Sequence, residues 1–366
     1  MASPQTCKQW TIQGMNGFDS LQFNDSAALP QPGGREVLVK FHAASLNYRD
    51  LIIPKGMYPF PQEDGVVPGS DGAGTIEAVG PGVTRWKAGQ RVVTLFNQGH
   101  LYGPIPPSAF KTGLGGVLDG TLRQYGVFSE EGLVELPSNL NWLEGSTLSC
   151  AALTAWNALY GNRPLKAGDT VLTQGTGGVS IFAVQVHKSP EPRHCPLSAN
   201  KQSQFALAAG ATVIATTSSD EKAQTLKKLG AHHVLNYKTD PNWGETAKSL
   251  TPGQAGVNYV IEVGGPNTQA QSLKSIATEG IITIIGFLGG TSKDQPAFLE
   301  ALTKVCTIRG AYVGSRQMFE DMNQAIEVNG IKPVIDQKVF GLDEVKEAYQ
   351  YMWDQKHFGK ICIKID

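Results

Sequence analysis

The 366-residue sequence predicts an α/β chain in two parts, a β-rich part followed by a doubly wound parallel sheet. Three observations carry that prediction. An apolar, β-branched run, Thr170-Val171-Leu172-Thr173-Gln174, enters a glycine turn, Gly175-Thr176-Gly177-Gly178, and a helix-forming run leaves it from Val179. From Leu143 onward strand-like and helix-like runs alternate, as parallel strands with crossover helices on both faces require. Before about residue 150 the runs are short, strand-like and set off by Gly and Pro.

The elements follow in order. Residues 37–41, 74–79 and 90–95 read as strands, with Pro81-Gly82 as a turn between the last two. The stretch 97–121 is long and rich in Gly and Pro, and loops of that length in compact domains are usually functional or disordered. Leu148, Ala152, Leu153, Trp156, Leu159 and Tyr160 share one helical face, and the run stops at Gly161. Strands are then expected at 170–174, 211–217, 234–237, 257–263 and 281–286, with a helix at 220–229. The run 306–312 is strand-like. Helices at 319–328 and 342–354, and strands at 333–335 and 360–364, complete the chain.

One stretch breaks the pattern. Residues 186–204 hold three prolines and no amphipathic period, where the helix after the glycine turn should continue. Thr217 lies 42 residues after Gly175, and 23 with those nineteen left out, against the roughly 20 expected of a βαβ unit. Their removal joins 181–185 to 205–210 as one apolar helix ending in Gly210. The nineteen residues therefore read as foreign to the unit. A Val codon begins with GT and a Gln codon can end in AG, which are intron borders, so a retained intron is one reading. A surface loop, tolerated at small entropic cost, is the other. The transcript sequence distinguishes them.

Composition excludes several classes. With 41% hydrophobic residues the chain can bury two cores, and 31 basic against 32 acidic residues, without long blocks, suggest neither nucleic acid nor an anionic membrane. No stretch reaches the ~18 apolar residues of a membrane span, and neither end carries a targeting signal. The five scattered cysteines suit free thiols in a cytoplasmic protein.

Strand, glycines and helix in that order suit a dinucleotide. Gly175 makes the turn, Gly177 admits a pyrophosphate, and the helix amides of Gly178 and Val179 face the phosphates, with Thr176 between the glycines. Ser180 replaces the third glycine of the fingerprint. The second strand ends in Thr216-Thr217-Ser218-Ser219-Asp220-Glu221-Lys222. The hydroxyls of Ser218 and Ser219, with Lys222 one turn on, suit a 2′-phosphate and point to NADP(H), while Asp220 and Glu221 suit a helix N-terminus.

Beyond that point the chain resembles the medium-chain dehydrogenase/reductase superfamily, in its zinc-independent branch of quinone oxidoreductases and enoyl reductases. The resemblance rests on Asn47-Tyr48-Arg49-Asp50-Leu51, Pro68-Gly69-Ser70-Asp71-Gly72-Ala73-Gly74, Ala152-Leu153-Thr154-Ala155-Trp156, the glycine turn, Lys228-Leu229-Gly230-Ala231 and His357-Phe358-Gly359-Lys360. It implies a GroES-like β-rich catalytic domain at 1–150, completed by 316–366, around a Rossmann NADP(H)-binding domain at 151–315, with the active site in the cleft between. Zinc-dependent relatives place Cys, His and Cys around a metal. The matching positions are Asn47, Ser70 and Cys150, and 97–121 lacks the cysteines of a structural zinc lobe, so no zinc is expected. Cys150 then reads as a packed thiol.

Reduction of an activated C=C bond needs a hydride and a proton donor. By resemblance the donor is Tyr58, with Tyr48 as second candidate, and Asn47 bonds a substrate oxygen or the ribose. Thr154 is expected to face the nicotinamide, Tyr237 the adenosine phosphate and Gly264 the far strand end. Gly286, Phe287, Leu288, Val313, Gly314 and Ser315 are expected to cradle the nicotinamide, with Gly359 and Lys360 closing the pocket. Pairing of 306–312 across a two-fold axis predicts a homodimer. The function expected is an NADPH-dependent, zinc-free reductase of an activated alkene, quinone or related carbonyl. Alternatives are an NAD(P)-dependent alcohol dehydrogenase and a nucleotide-binding protein with little catalysis.

Overall fold

The computed structural model describes residues 5–184, 209–290 and 295–365. The anomalous segment 186–204 lies outside them. The chain forms two units, one of residues 1–153, 314–327 and 332–366, the other of 154–313 and 328–331.

The first unit is built on an antiparallel sheet. Its long strand Glu36–Ser45 buries Val37, Leu38, Val39, Phe41, Ala43 and Ala44, and it pairs with Asp71–Val79 and Tyr125–Ser129. Phe41 meets Phe128 edge-on at 5.6 Å between ring centroids. Asp71–Val79 pairs onward with Arg91–Thr94, which pairs with Leu133–Glu135. The C-terminal strand Cys362–Lys364 closes the other side of Glu36–Ser45, and Phe340–Gly341 pairs with it. Two registers meet at Ser45: it stands opposite Asp71 on one neighbour and Cys362 on the other. The antiparallel register continues past the strand, where Leu46 N–H donates to Ile361 O at 3.0 Å. Asn47 therefore falls opposite Lys360. This pairing brings together residues that lie 313 apart in sequence.

The second unit is a six-stranded sheet whose neighbours are all parallel. From edge to edge its strands are His233–Asn236, Thr212–Thr217, Thr170–Gln174, Val257–Glu262, Ile276–Ile284 and Thr307–Gly310. The order reverses beside Thr170–Gln174, and ligands bind outside the strand ends at such a point. Thr170–Gln174 is buried at every position, as a central strand covered on both faces must be.

Several elements differ from their sequence expectation. The apolar period over 148–160 reads as one helix, but the chain forms Trp142–Ser146, a π-helical turn Leu148–Ala152 and then Leu153–Tyr160. Residues 333–335 form no strand; Pro333 lacks an N–H for a ladder, and Ile335 makes only an isolated bridge to Lys360. Strand Ile276–Ile284 begins earlier than expected, because Ile276 already pairs with Val257. Strand 306–312 shortens to Thr307–Gly310. The loop after Asn97 is ordered: Leu114 O accepts from Arg49 Nη1 at 2.8 Å, and Gly115 packs against Gly69. Among the described residues no helix is long and apolar enough to cross a membrane, and Cys7, Cys150, Cys306 and Cys362 are free thiols.

Candidate active site

In the first unit the two registers at Ser45 assemble a buried polar cluster. Lys360 is 2% exposed and donates to Leu46 O at 2.8 Å, Asn47 Oδ1 at 2.7 Å and Asp71 Oδ2 at 3.1 Å. Asp71 also accepts from Ser45 Oγ at 3.0 Å and Ser70 Oγ at 2.9 Å. Asn47 Nδ2 lies 3.4 Å from Ser70 Oγ. The turn at Gly359 delivers the lysine inward: its φ is +77°, and a Cβ there would meet Val334 O at 2.4 Å. Only glycine fits.

Helix Tyr48–Ile52 starts from Asn47, whose backbone N–H donates to Asp50 Oδ2 at 2.8 Å as half of a capping box. Burial raises the Asp50 carboxyl from 3.8 to about 6, opposed by the Arg49 guanidinium. A raised acid contributes stability that is full below 3.8 and is lost as pH climbs through about 6. Asp50→Asn keeps an acceptor for Asn47 N–H and is expected to abolish this loss, on the order of 3 kcal/mol at most. Urea unfolding of both proteins from pH 4 to 7 checks it: the variant should gain on the wild type as pH rises.

Burial, with Asp71 adding to it, pushes the Cys150 thiol up to about 12, so at neutral pH it is a protonated thiol rather than a nucleophile. Cys150 lies in the π-helical turn. The Arg49 guanidinium stands 4.8 Å from the ring centroids of both Tyr58 and Phe96. Tyr58 continues into an aromatic row, 5.3 Å from Phe60, which stacks on Phe110 at 5.8 Å. Tyr48 is half-buried, which raises its phenol pKa, and lies parallel to Trp353 at 6.5 Å.

Asn47, Ser70 and Cys150 do not suit zinc. The Asn47 oxygen already accepts from an ammonium, the Ser70 hydroxyl donates to Asp71, and the thiol is protonated. Among the described residues no cluster of three His, Cys, Asp or Glu side chains could hold a metal.

In the second unit the expected nucleotide residues gather at the C-terminal ends of the strands. Gly175 has φ +75°, and among the described residues a Cβ built on Gly175 or Gly177 meets nothing within 4 Å, which leaves room at the turn of the kind a diphosphate needs. Ser180 Oγ donates to Gln174 O at 2.5 Å, tying helix Gly178–Val184 to the strand that precedes the turn. At the second strand tip Ser219 Oγ accepts from Lys222 N at 3.4 Å, capping helix Asp220–Lys228. Asp220 Oδ1 accepts from Asn236 Nδ2 at 2.9 Å, and Tyr237 N–H donates to Thr217 O at 3.0 Å while its side chain is exposed.

A network that sequence reasoning missed supports the central strand ends. Gln174 Nε2 donates to Glu262 Oε2 at 2.8 Å and Ser272 Oγ at 2.9 Å. Glu262, fully buried, accepts from the backbone of Gly264 and Gly265, each at 3.0 Å, and from Thr268 Oγ1 at 2.5 Å. It thereby fixes the Gly264-Gly265 turn, against which Phe287 packs. Leu288 N–H donates to Val263 O at 3.0 Å, and Gly286 sits over the same carbonyl. Val313 has φ +54°, a strained conformation for a β-branched residue. Its carbonyl accepts from Asn157 Nδ2 at 2.7 Å, and Arg309 Nη2 holds Asn157 Oδ1 at 2.7 Å. Thr154 is buried here.

In the first unit Gly314 packs on Leu153, and Ser315 Oγ accepts from Met318 N at 3.2 Å, capping helix Arg316–Asn329. Nothing local in the sequence marked the Asp71–Lys360 contact or the Glu262 network. The one available signal was acidic residues inside apolar strands, which need partners when buried.

Comparison with known proteins agrees with this geometry. A family model for the alcohol dehydrogenase GroES-like domain matches residues 33–138, and one for zinc-binding dehydrogenases matches 203–328. The second begins at 203, leaving the glycine turn outside. A zinc-type alcohol dehydrogenase-like protein of Schizosaccharomyces pombe is 46% identical over 357 residues, covering 96% of this chain and 97% of its own. The quinone oxidoreductase of Homo sapiens is 26% identical over 341 residues, covering 91% and 90%. A crystal structure described as an alcohol dehydrogenase of Sinorhizobium meliloti 1021 superposes with a TM-score of 0.86 at 35% identity, covering 99% of this chain and all of its own. With its GroES-like unit, its parallel nucleotide-binding sheet and relatives along its whole length, the chain belongs to the medium-chain dehydrogenase/reductase superfamily and is an NAD(P)H-dependent oxidoreductase.

Proposed function

We propose that the protein is an NADPH-dependent reductase of an activated C=C bond, a quinone or a related carbonyl, working without zinc. The observation that carries this reading is the Lys360 ammonium bonded to Asn47, one of the positions where zinc-dependent relatives hold their metal. A buried ammonium there opposes a second cation, and alcohol oxidation in this family leans on the metal to polarise oxygen. When bound, the coenzyme would supply a hydride to the β-carbon, and charge would develop on the conjugated oxygen. Asn47 Nδ2 donates to that oxygen, and the Tyr58 hydroxyl gives its proton to the α-carbon, taking one back from solvent. The preference for NADPH is supported by Ser218, Ser219 and Lys222 at the second strand tip and by Asp220 bonding to Asn236.

Anaerobic incubation with NADPH and an enone or a 1,4-quinone is expected to give the saturated ketone or the hydroquinone. NADH should be slower, and a strong zinc chelator should leave the rate unchanged. Oxidation of a primary alcohol that the chelator abolishes would establish an alcohol dehydrogenase instead, and tight NADPH binding without turnover of any substrate would leave a nucleotide-binding protein.

We also propose a homodimer. Among the described residues strand Thr307–Gly310 pairs on one side only, and the chain before it exposes Phe298 at 98%, Leu299 at 64% and Leu302 at 70%. An unpaired edge next to apolar side chains invites pairing with a second copy. Sedimentation at micromolar concentration should give twice the chain mass.

A further inference from the structure

We propose that Lys360 is a positioning residue that sets the Asn47 amide as a hydrogen-bond donor toward the substrate oxygen, with Asp71 as the counter-ion that holds Lys360 in place. The inference rests on the function proposed above, in which Asn47 meets that oxygen.

The direction of the amide follows from donor and acceptor chemistry. An ammonium has three protons and no acceptor, so whatever touches it must accept. Its three partners are Leu46 O, Asn47 Oδ1 and Asp71 Oδ2, at 2.8, 2.7 and 3.1 Å. The oxygen of Asn47 therefore faces the lysine and Nδ2 faces away. Of the two Nδ2 protons one has Ser70 Oγ as a distant acceptor at 3.4 Å, and that hydroxyl spends its own proton on Asp71 Oδ1. The Asn47 backbone N–H is bound to Asp50 Oδ2, which fixes the backbone from which the side chain leaves, and the bond from Lys360 to Oδ1 fixes the side chain itself. Among the described residues one amide proton is left for a ligand.

The charge matters as well as the orientation. Lys360 is 2% exposed, so its ammonium sits in a low dielectric one hydrogen bond behind the amide. Polarisation along such a chain strengthens the outward N–H as a donor. Donors fixed before charge develops are worth most in the transition state. The positive charge that a metal would bring to a substrate oxygen directly is here relayed through an amide. The three protons of Lys360 are spent inside its own unit, which separates this role from a contact with coenzyme phosphate.

Lys360→Met alone would leave Asp71 buried without a counter-ion and could unfold the chain. The test therefore compares Lys360→Met/Asp71→Asn, which is neutral, with Lys360→Arg and Asn47→Ala. Each is assayed on whichever of the enone, quinone or alcohol the wild type turns over. The neutral double variant and Asn47→Ala should each lose about 10²-fold in kcat with little change in KM. Lys360→Arg, which keeps the charge, should recover at least a tenth of the wild-type kcat. NADPH affinity, read by quenching of protein fluorescence, should stay within twofold throughout.

A double variant with wild-type kcat would overturn the inference, as would one that loses NADPH affinity instead of kcat. If the wild type oxidises alcohols and reduces neither enone nor quinone, the reductase reading falls, while the same kcat pattern on the alcohol would still uphold the role of Lys360.

Discussion

Asp71→Ala is expected to destabilise the GroES-like unit by about 3–5 kcal/mol, the largest stability effect of any single polar truncation in the site. The carboxylate receives Ser45 Oγ, Ser70 Oγ and Lys360 Nζ, and the ammonium is 2% exposed. Truncation leaves that charge with two neutral acceptors, Leu46 O and Asn47 Oδ1, and removes the acceptor of Ser70 Oγ and one of the two acceptors of Ser45 Oγ. A buried charge stripped of its partner costs far more than the pair contributes when intact. Asp71→Asn keeps one acceptor oxygen and the side-chain volume and should cost less, so the ordering Ala worse than Asn is part of the expectation. Urea unfolding followed by far-UV circular dichroism measures both. An alanine variant within 1 kcal/mol of the wild type would mean that Lys360 is not held as described.

Gly177→Val is expected to abolish coenzyme binding and leave the fold intact. Among the described residues a Cβ on Gly177 meets nothing within 4 Å, so the added side chain is expected to be accommodated in the apo protein, which should unfold at the same urea concentration as the wild type. The same space is where the backbone must let a diphosphate approach, and filling it removes that approach. A rise of about 10²-fold or more in the NADPH dissociation constant is expected, read by nucleotide fluorescence. Equal loss of stability and binding would assign Gly177 to packing. Unchanged binding would place the nucleotide elsewhere.

The second unit was largely legible in the sequence. Thr170-Val171-Leu172-Thr173 followed by Gly175 and Gly177 announces a strand, a turn and a helix through local composition, and the alternation that follows implies a parallel sheet. Those signals act over a few residues. The polar cluster does not. Lys360 reads from sequence as one residue of His357-Phe358-Gly359-Lys360 at the mouth of a coenzyme pocket, because nothing near it names a partner. Its acceptors lie about 300 residues upstream, and only the pairing of Ser45 with both Asp71 and Cys362 brings them to it. Asp50 sits within a recognisable motif, yet its acidity depends on burial set by the rest of the unit. The π-helical turn at Leu148–Ala152 escaped for a different reason: one added residue per turn shifts an apolar face too little to see by period alone.

The register that sets Asn47 opposite Lys360 has a consequence for synthesis. Chains fold from the N-terminus as they emerge. Asp71, Ser45 and Asn47 are made early, whereas their cation follows 289 residues after Asp71. Until Lys360 has been made the pocket is acidic with no counter-ion, and strand Cys362–Lys364 both closes the sheet and brings the cation that neutralises it. Activity thus waits on a late step: a polypeptide that stops before Lys360 lacks the cation that the pocket requires.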